Sequence, residues 1–303
     1  MPAKPFDWDS FEVGEPFDPY TVSVTQEMVD KHMEGLDYYL PWFSEASPFG
    51  GPIAPPTVID RAMAQGMYGA AFAAPVERGG QSLHARQITE FLAPLYVEET
   101  YTISGKVSHK FERRGKRYAG VEGVAVDSSG KPVQRGNYIR LTAMVPGQTR
   151  EGRDPEATAG EEQIVPGPGG PPSPRWELGH EIAPMAKIPS VDKSIAYVGG
   201  DMGFHTNYEA AQRLGFKKPI LMGLMSHAYF SELMMNFFGK NWVTKGKLSA
   251  AFIATIPVDE FLLVRGVIRG REPAAEGFKW GLELWIENKE GKKMSVGTAS
   301  CEA

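Results

Sequence analysis

The chain has 303 residues, of which 42% are apolar and 23% charged, so it has the composition of a globular protein and the length of two domains. Its net charge of −5 argues against a polyanionic partner such as nucleic acid, which needs a basic face. The single cysteine excludes an internal disulfide, and no apolar run reaches the ~18–20 residues that a membrane span requires. The sequence therefore predicts a cytoplasmic protein that binds neither nucleic acid nor a membrane.

The first half reads as one long helix followed by strands. Residues 56–72 form the apolar helix candidate. Alternating apolar and polar residues then mark strands at 101–107, 118–126 and 137–144, and a turn signal at 127–131 joins the last two. This pattern is typical of an antiparallel meander that packs on a helix.

A stretch rich in Pro, Gly and charge separates the two halves. Such a segment buries too little apolar surface to fold by itself, so residues 146–175 are predicted to be a linker. The predicted domains are therefore residues 1–145 and 176–303.

The second half repeats the scheme of the first. Residues 221–238 are apolar on nearly every side of a helix. A helix of this kind, which rises ~1.5 Å per residue, is predicted to be enclosed by other elements. Strand patterns follow at 261–268, 279–286 and 294–301, with a turn at 287–292.

Three landmarks recur in the same order at nearly constant spacing, which indicates a duplication. The matching positions are Thr25 and Ser190, Pro52 and Pro219, and Pro94 and Pro257. Thr25 and Ser190 are each expected to cap a short helix. The fold expected from this layout is α+β: a double hotdog, in which two antiparallel sheets each wrap a long central helix.

Polar chemistry is concentrated on one glycine-rich turn of the second half. Asp201 and His205 lie there among Gly199, Gly200 and Gly203, so they are expected on a turn rather than on a helix. A carboxylate and an imidazole this close form a plausible acid–base pair. The same residues are also compatible with a purely structural helix cap and a residue that flanks it.

The turn resembles the hydratase-2 signature of the MaoC-like hydratase/dehydratase family. Tyr197, Gly200, Asp201, His205 and Ala211 fit that signature, and residues 215–225 are similar to the family's entry into its central helix. The chain departs from the family in three ways. Three residues instead of four separate the Asp from the His, the usual Asn-Pro is absent, and Met222 stands where relatives often have His.

The resemblance implies reversible addition of water to a 2-enoyl-CoA, which gives an (R)-3-hydroxyacyl-CoA. Asp201 would orient and activate the water, and His205 would be the second proton-handling group. Gly223, at the start of the buried helix, would offer its backbone N–H to the thioester oxygen, with Met222 beside it. No metal or cofactor is implied. The expected partners are an acyl-CoA or acyl-carrier thioester and a second copy of the chain.

The remaining candidates for substrate binding are less specific. Asn207 is a candidate to replace the missing Asn of the signature. The first half has no His at the matching turn, so it is interpreted as a degenerate unit, in which Tyr38 and Trp42 form either a pocket wall or ordinary core.

Two alternatives remain open at this point. One is a hotdog acyl-CoA thioesterase, which commonly presents a carboxylate from the central helix, here Glu232. The other is a non-catalytic acyl-thioester-binding or partner subunit of the same fold, for which the shortened spacing between Asp201 and His205 is the argument.

Overall fold

The computed structural model describes residues 8–9, 11–71, 83–144 and 176–303. The predicted linker, residues 146–175, lies outside them, and the predicted division into two domains stays a prediction.

The elements of the first half follow the expected order. They are β1 (Pro16–Val24), α1 (Gln26–Leu36), α2 (Asp60–Ala71), β2 (Leu83–Phe91), β3 (Glu99–Arg113), β4 (Lys116–Val126) and β5 (Pro132–Met144). The helix and the three strands predicted from periodicity correspond to α2 and to β3, β4 and β5. The strands are longer than predicted because polar residues continue the ladders beyond the alternating segments.

The second half has the same sequence of elements with two short helices added. They are β6 (Met185–Lys187), α3 (Val191–Val198), α4 (Tyr208–Arg213), α5 (Gly223–Phe238), α6 (Lys240–Lys245), β7 (Lys247–Phe252), β8 (Leu262–Pro273), β9 (Phe278–Asn288) and β10 (Lys293–Glu302). The predicted caps are confirmed: the Thr25 hydroxyl accepts from the Met28 amide, and the Ser190 hydroxyl accepts from the Lys193 amide.

The strands form one ten-stranded sheet in the order β1-β3-β4-β5-β2-β7-β10-β9-β8-β6. From either end, the order begins with an edge strand (β1 or β6), continues with the three strands of the meander and ends at β2 or β7 in the centre. The two halves therefore have the same strand order, which confirms the duplication. The two predicted sheets are joined edge to edge into one, because β2 and β7 pair antiparallel from Arg86↔Ala251 to Glu90↔Lys247. Pairing these two strands removes two open sheet edges at once.

Each half carries its long helix against its own strands. Helix α2 lies on β1, β3, β4 and β5, and α5 lies on β7 to β10 and reaches β2. Most of α5 is buried, which explains its apolar sequence. The short helices α1 and α3 pack on each other at Gly35, where an added Cβ would lie 2.6 Å from the Tyr197 Cβ.

The two long helices meet through a buried polar pair. Asp60 and His227 occupy equivalent positions of the repeat, 167 residues apart, and the Asp60 Oδ2 lies 2.9 Å from the His227 Nδ1 with both side chains 0% exposed. The side-chain amides of Gln87 and Gln134 donate to the same carboxylate at 2.8 and 2.5 Å. The free-energy cost of burying this carboxylate is therefore offset by three polar neighbours, which come from both halves.

Loss of the Asp60 carboxylate should destabilise the whole fold. Asp60→Ala leaves His227 and the two glutamine amides without their acceptor, so we expect a loss of about 3–5 kcal/mol in the free energy of unfolding. Urea denaturation monitored by tryptophan fluorescence measures it. Asp30→Ala, on an exposed position of α1, is the matched control and should change stability little. A stability equal to that of the control would contradict the prediction.

Candidate active site

A cavity of about 660 Å³ lies between the two halves. The second half lines it with Met202, Phe204, His205, the start of α5 and residues 251–256. The first half lines it with β2, β5 and the hairpin that joins β3 to β4. The site is therefore composite, and it exists only when the halves are docked.

Of the predicted pair, Asp201 and His205, it is His205 that lines this cavity. It ends a single 310 turn, Gly203–His205, and its Nδ1 donates to the Ile220 carbonyl oxygen at 2.7 Å. Because a carbonyl only accepts, the proton sits on Nδ1 and the lone pair on Nε2. Burial lowers the pKa of His205 from its ordinary value, so the ring is neutral at pH 7 and is suited to act as a base.

The start of α5 offers hydrogen-bond donors to the same cavity. No side chain caps this helix at Met222. The Met225 amide donates to the Met222 carbonyl at 3.0 Å, whereas the amides of Gly223 and Leu224 have no partner among the described residues. Met222 and Gly223 both line the cavity. An added Cβ at Gly223 would lie 2.9 Å from the Phe252 ring, so a side chain there would force that ring to shift.

Asp201 is not among the residues that line the cavity. Its side chain is exposed, and its Oδ1 accepts from the Thr206 hydroxyl at 2.6 Å and from the Gly203 amide at 3.1 Å. The Thr206 hydroxyl in turn accepts from the Met202 amide at 2.7 Å. These bonds lower the pKa of Asp201 and hold the turn that carries His205. The predicted contact of Asp201 with a catalytic water stays a prediction.

The weaker sequence candidates also lie outside the cavity lining. Asn207 caps α4, where its side chain accepts from the Ala210 amide at 3.0 Å. Tyr38 is buried edge-on against Phe43 at 5.3 Å between ring centroids, and Trp42 packs on the core. Of their two interpretations, the structure favours core for Tyr38 and Trp42.

Several cavity residues were missed in the sequence. Arg86, Arg113, Lys116 and Arg140, all from the first half, line the cavity together with His84. The sequence signal for two of them was present, since the hairpin reads Arg-Arg-Gly-Lys-Arg at residues 113–117. Charge runs of this kind are usually solvated, and only the strand register shows which of these side chains face the cavity.

The carboxylate proposed for a thioesterase has a different environment. Glu232 lies on α5 outside the cavity lining, where its Oε2 is 2.8 Å from the Lys187 Nζ with both side chains 7% exposed. Lys187 also donates to the Leu36 and Asp37 carbonyls of the first half. Burial raises the pKa of Glu232 to about 7. Glu232 is therefore part of a buried contact between the halves.

Two further features bear on the class of protein. Among the described residues, no group of three or more His, Cys, Asp or Glu side chains comes together in a way that would hold a metal ion. No helix in the described ranges has the length and hydropathy needed to cross a bilayer.

The chain is similar to known dehydratases, in sequence over part of its length and in fold over nearly all of it. Residues 12–135 match the family model described as "FAS1-like, dehydratase domain region". This match falls in the first half, which has no His at the turn that matches His205. No curated protein sequence matches the chain at a significant level.

Solved structures with the same fold cover the chain from end to end. A structure titled "MaoC-like dehydratase" is 18% identical, with a TM-score of 0.74 over 98% of this chain and 99% of the other. A MaoC-like dehydratase from Phytophthora capsici is also 18% identical, with a TM-score of 0.70 and 96% of each chain covered. A Mycobacterium tuberculosis protein described as a double hotdog is 15% identical, with a TM-score of 0.62 over 98% of this chain and 97% of the other. The predicted resemblance to MaoC-like dehydratases is confirmed, and the chain has the double hotdog fold.

Removal of the Lys187 ammonium should destabilise the protein in a pH-dependent way. In Lys187→Met the Glu232 carboxylate stays buried without its partner, which costs about 3–5 kcal/mol when it is ionised at pH 8. At pH 5 Glu232 is protonated, since its pKa already lies near 7 with the lysine present, and the cost should be smaller. Urea denaturation at the two pH values measures the difference.

Lys218→Met is the control, because Lys218 pairs with Asp259 at the surface. It should change stability little at either pH. An equal loss at pH 5 and pH 8 in Lys187→Met would show that the Glu232 charge is not the cause.

Proposed function

We propose that this protein is a hydratase/dehydratase that acts on acyl thioesters, with His205 as its acid–base group. One observation carries the proposal: a neutral imidazole with its lone pair on Nε2 shares a cavity with the uncapped start of a long buried helix. Addition of water to an enoyl thioester needs these two elements, a base for the water and donors for the thioester oxygen. The resemblance to MaoC-like dehydratases supports the same chemistry.

The reaction proceeds through an enolate in this proposal. The His205 Nε2 takes a proton from a water molecule as the water oxygen bonds to C3 of the double bond. The electron pair of that double bond moves toward the thioester oxygen, where the amides of Gly223 and its neighbour stabilise the negative charge. The protonated imidazole then returns the proton to C2, and the ring is neutral again.

The finer assignment follows the family resemblance. We propose a 2-enoyl-CoA as substrate and an (R)-3-hydroxyacyl-CoA as product, with the reverse reaction as dehydration. Met222 lies beside the helix start, in the lining of the cavity. Its side chain is apolar, which suits contact with an acyl chain rather than with a water molecule.

Substitution of His205 should abolish most of the activity. We expect His205→Gln to lower kcat/KM for hydration of an enoyl-CoA by about 10²–10⁴-fold, the usual contribution of a general base. The fall in absorbance of the conjugated enoyl thioester measures the rate. His84→Gln is the matched control, since His84 lines the same cavity but its Nε2 is buried. Full activity in His205→Gln would refute the proposal.

The pH profile of the wild-type enzyme should show the same base. His205 must be neutral to take a proton from water, and burial lowers its pKa. The rate should therefore fall on acidification only below the ordinary imidazole pKa of about 6.5. A kcat/KM that already falls by half above that value would argue against this base.

A conservative substitution distinguishes two roles for Asp201, handling a proton and holding the turn. Asp201→Asn keeps an oxygen that accepts from Thr206 and Gly203 but cannot take up a proton. If Asp201 handles a proton, as the family resemblance implies, this variant should lose about 10²-fold or more in kcat/KM. If Asp201 only holds the turn, Asp201→Asn should stay near wild type while Thr206→Val, which breaks the same turn, lowers the rate. Steady-state kinetics of the two variants distinguish these outcomes.

A non-catalytic thioester-binding subunit is the second candidate. The observation that favours it is the exposed position of Asp201, outside the cavity that holds His205. Calorimetric binding of acyl-CoA without hydration at any chain length would support it over the enzyme.

A further inference from the structure

The hairpin between β3 and β4 presents two chemically different faces. Its two turn residues, Arg114 and Gly115, have φ values of 49° and 69°, which is the backbone of a two-residue type I′ turn. This turn sets Arg113 directly opposite Lys116. Because alternate residues share a face, Phe111 and Tyr118 form the next pair on that side.

The face with these two pairs belongs to the cavity. Phe111, Arg113, Lys116 and Tyr118 all line it, and the two aromatic rings are stacked 4.9 Å apart at an angle of 10°. The pair between them in sequence, Glu112 and Arg117, lies on the opposite face and forms an ion pair at 2.8 Å.

The cavity face of the hairpin is positively charged. Two like charges directly opposite each other in a sheet are destabilising, and here they are Arg113 and Lys116. Two more cations from the first half, Arg86 and Arg140, line the same cavity, while none of its lining residues in the described part of the chain is acidic.

The two deeper cations make few polar contacts within the protein. The Arg140 guanidinium lies 4.3 Å from the Tyr68 ring centroid, and Arg86 donates to the Ser249 hydroxyl while its Nε is buried without a partner. Burial lowers the pKa of both guanidinium groups. A bound anion would compensate these charges.

We propose that the cavity face of the β3–β4 hairpin binds the phosphorylated nucleotide of coenzyme A. The Arg113 and Lys116 side chains contact the phosphates, and the stacked Phe111 and Tyr118 rings offer a flat surface for the adenine. The assignment rests on the proposed function for the thioester end of the ligand, since His205 and the hairpin line one cavity. It selects a CoA thioester over an acyl-carrier thioester.

Two observations favour a nucleotide over the acidic surface of a carrier protein. Three of the four cations, Arg86, Lys116 and Arg140, are half-buried in the cavity lining, and only Arg113 is exposed, whereas a carrier protein would need a cationic patch on the open surface. Stacking on an aromatic ring adds affinity for a base and none for a carboxylate-rich helix.

The subsite can be tested without catalysis by calorimetric binding of adenosine 3′,5′-bisphosphate to the full chain. We expect wild type to bind it, and the double variant Arg113→Gln/Lys116→Gln to raise Kd by at least about tenfold, because it removes two charge-assisted contacts to the phosphates. Arg117→Gln removes the same charge from the other face of the hairpin and should leave Kd within about twofold. Absence of binding to wild type, or equal Kd values for wild type and the double variant, would overturn the proposal.

Kinetics separate failure of the subsite from failure of the reaction. The double variant should lower kcat/KM for an enoyl-CoA about tenfold and leave that for an enoyl-N-acetylcysteamine thioester unchanged, because the short thioester has no nucleotide. Nucleotide binding without turnover of either thioester would support the subsite and refute the hydratase. Turnover of an enoyl-carrier protein that depends on Arg113 and Lys116, without nucleotide binding by wild type, would overturn the assignment to CoA.

Discussion

The contact between Asp60 and His227 is the constraint on which the architecture depends. The repeat puts these two residues at equivalent positions, and the fold brings them together in the interior with no exposure to water. If a half paired with a copy of itself, it would bury two carboxylates or two imidazoles against each other. An acid in one half and a base in the other therefore favour the pairing of unlike halves within one chain.

The other contacts between the halves reinforce this pairing. The β2–β7 ladder joins the sheets, and Lys187 of the second half donates to the Leu36 and Asp37 carbonyls of the first. The cavity draws its lining from both halves, so these contacts also determine its shape. The first half supplies cations and aromatic rings, and the second supplies His205 and the start of α5. The first half has no His at the turn that matches His205, and its contribution to the cavity is a set of cations and aromatic rings that could bind a ligand.

Local patterns predicted the elements better than their assembly. The helices, the caps at Thr25 and Ser190 and the β-meanders depend on residues close in sequence, and they formed as expected. The strands that join the two sheets were not identified, because β2 and β7 pair over about 160 residues of chain and show no periodicity that names their partner. The cationic face of the hairpin was missed for a related reason: Phe111, Arg113, Lys116 and Tyr118 share a face only because of the two-residue turn.

The structure places the residues of the predicted motif in two different environments. His205 and Gly223 line the cavity, while Asp201, predicted from the same signature, bonds to Thr206 and Gly203 at the surface. Gly203 begins a 310 turn only two residues after Asp201. A carboxylate so close to the start of a turn bonds to the free amides and hydroxyls of that turn.

One short piece of backbone fixes the position of His205 relative to the start of α5. The Ile220 carbonyl accepts from the His205 ring and the Ile220 amide donates to the Phe204 carbonyl, so the turn is attached to this residue on both sides of it. Ile220 bridges to Pro257, and the Leu221 amide donates to Ile256. Gly223 follows three residues after Ile220. Three peptide units, from Ile220 to Gly223, therefore determine how far the imidazole lies from the first amides of α5. Their position is fixed by the bonds to Ile256 and Pro257, and not by the side chains around the cavity.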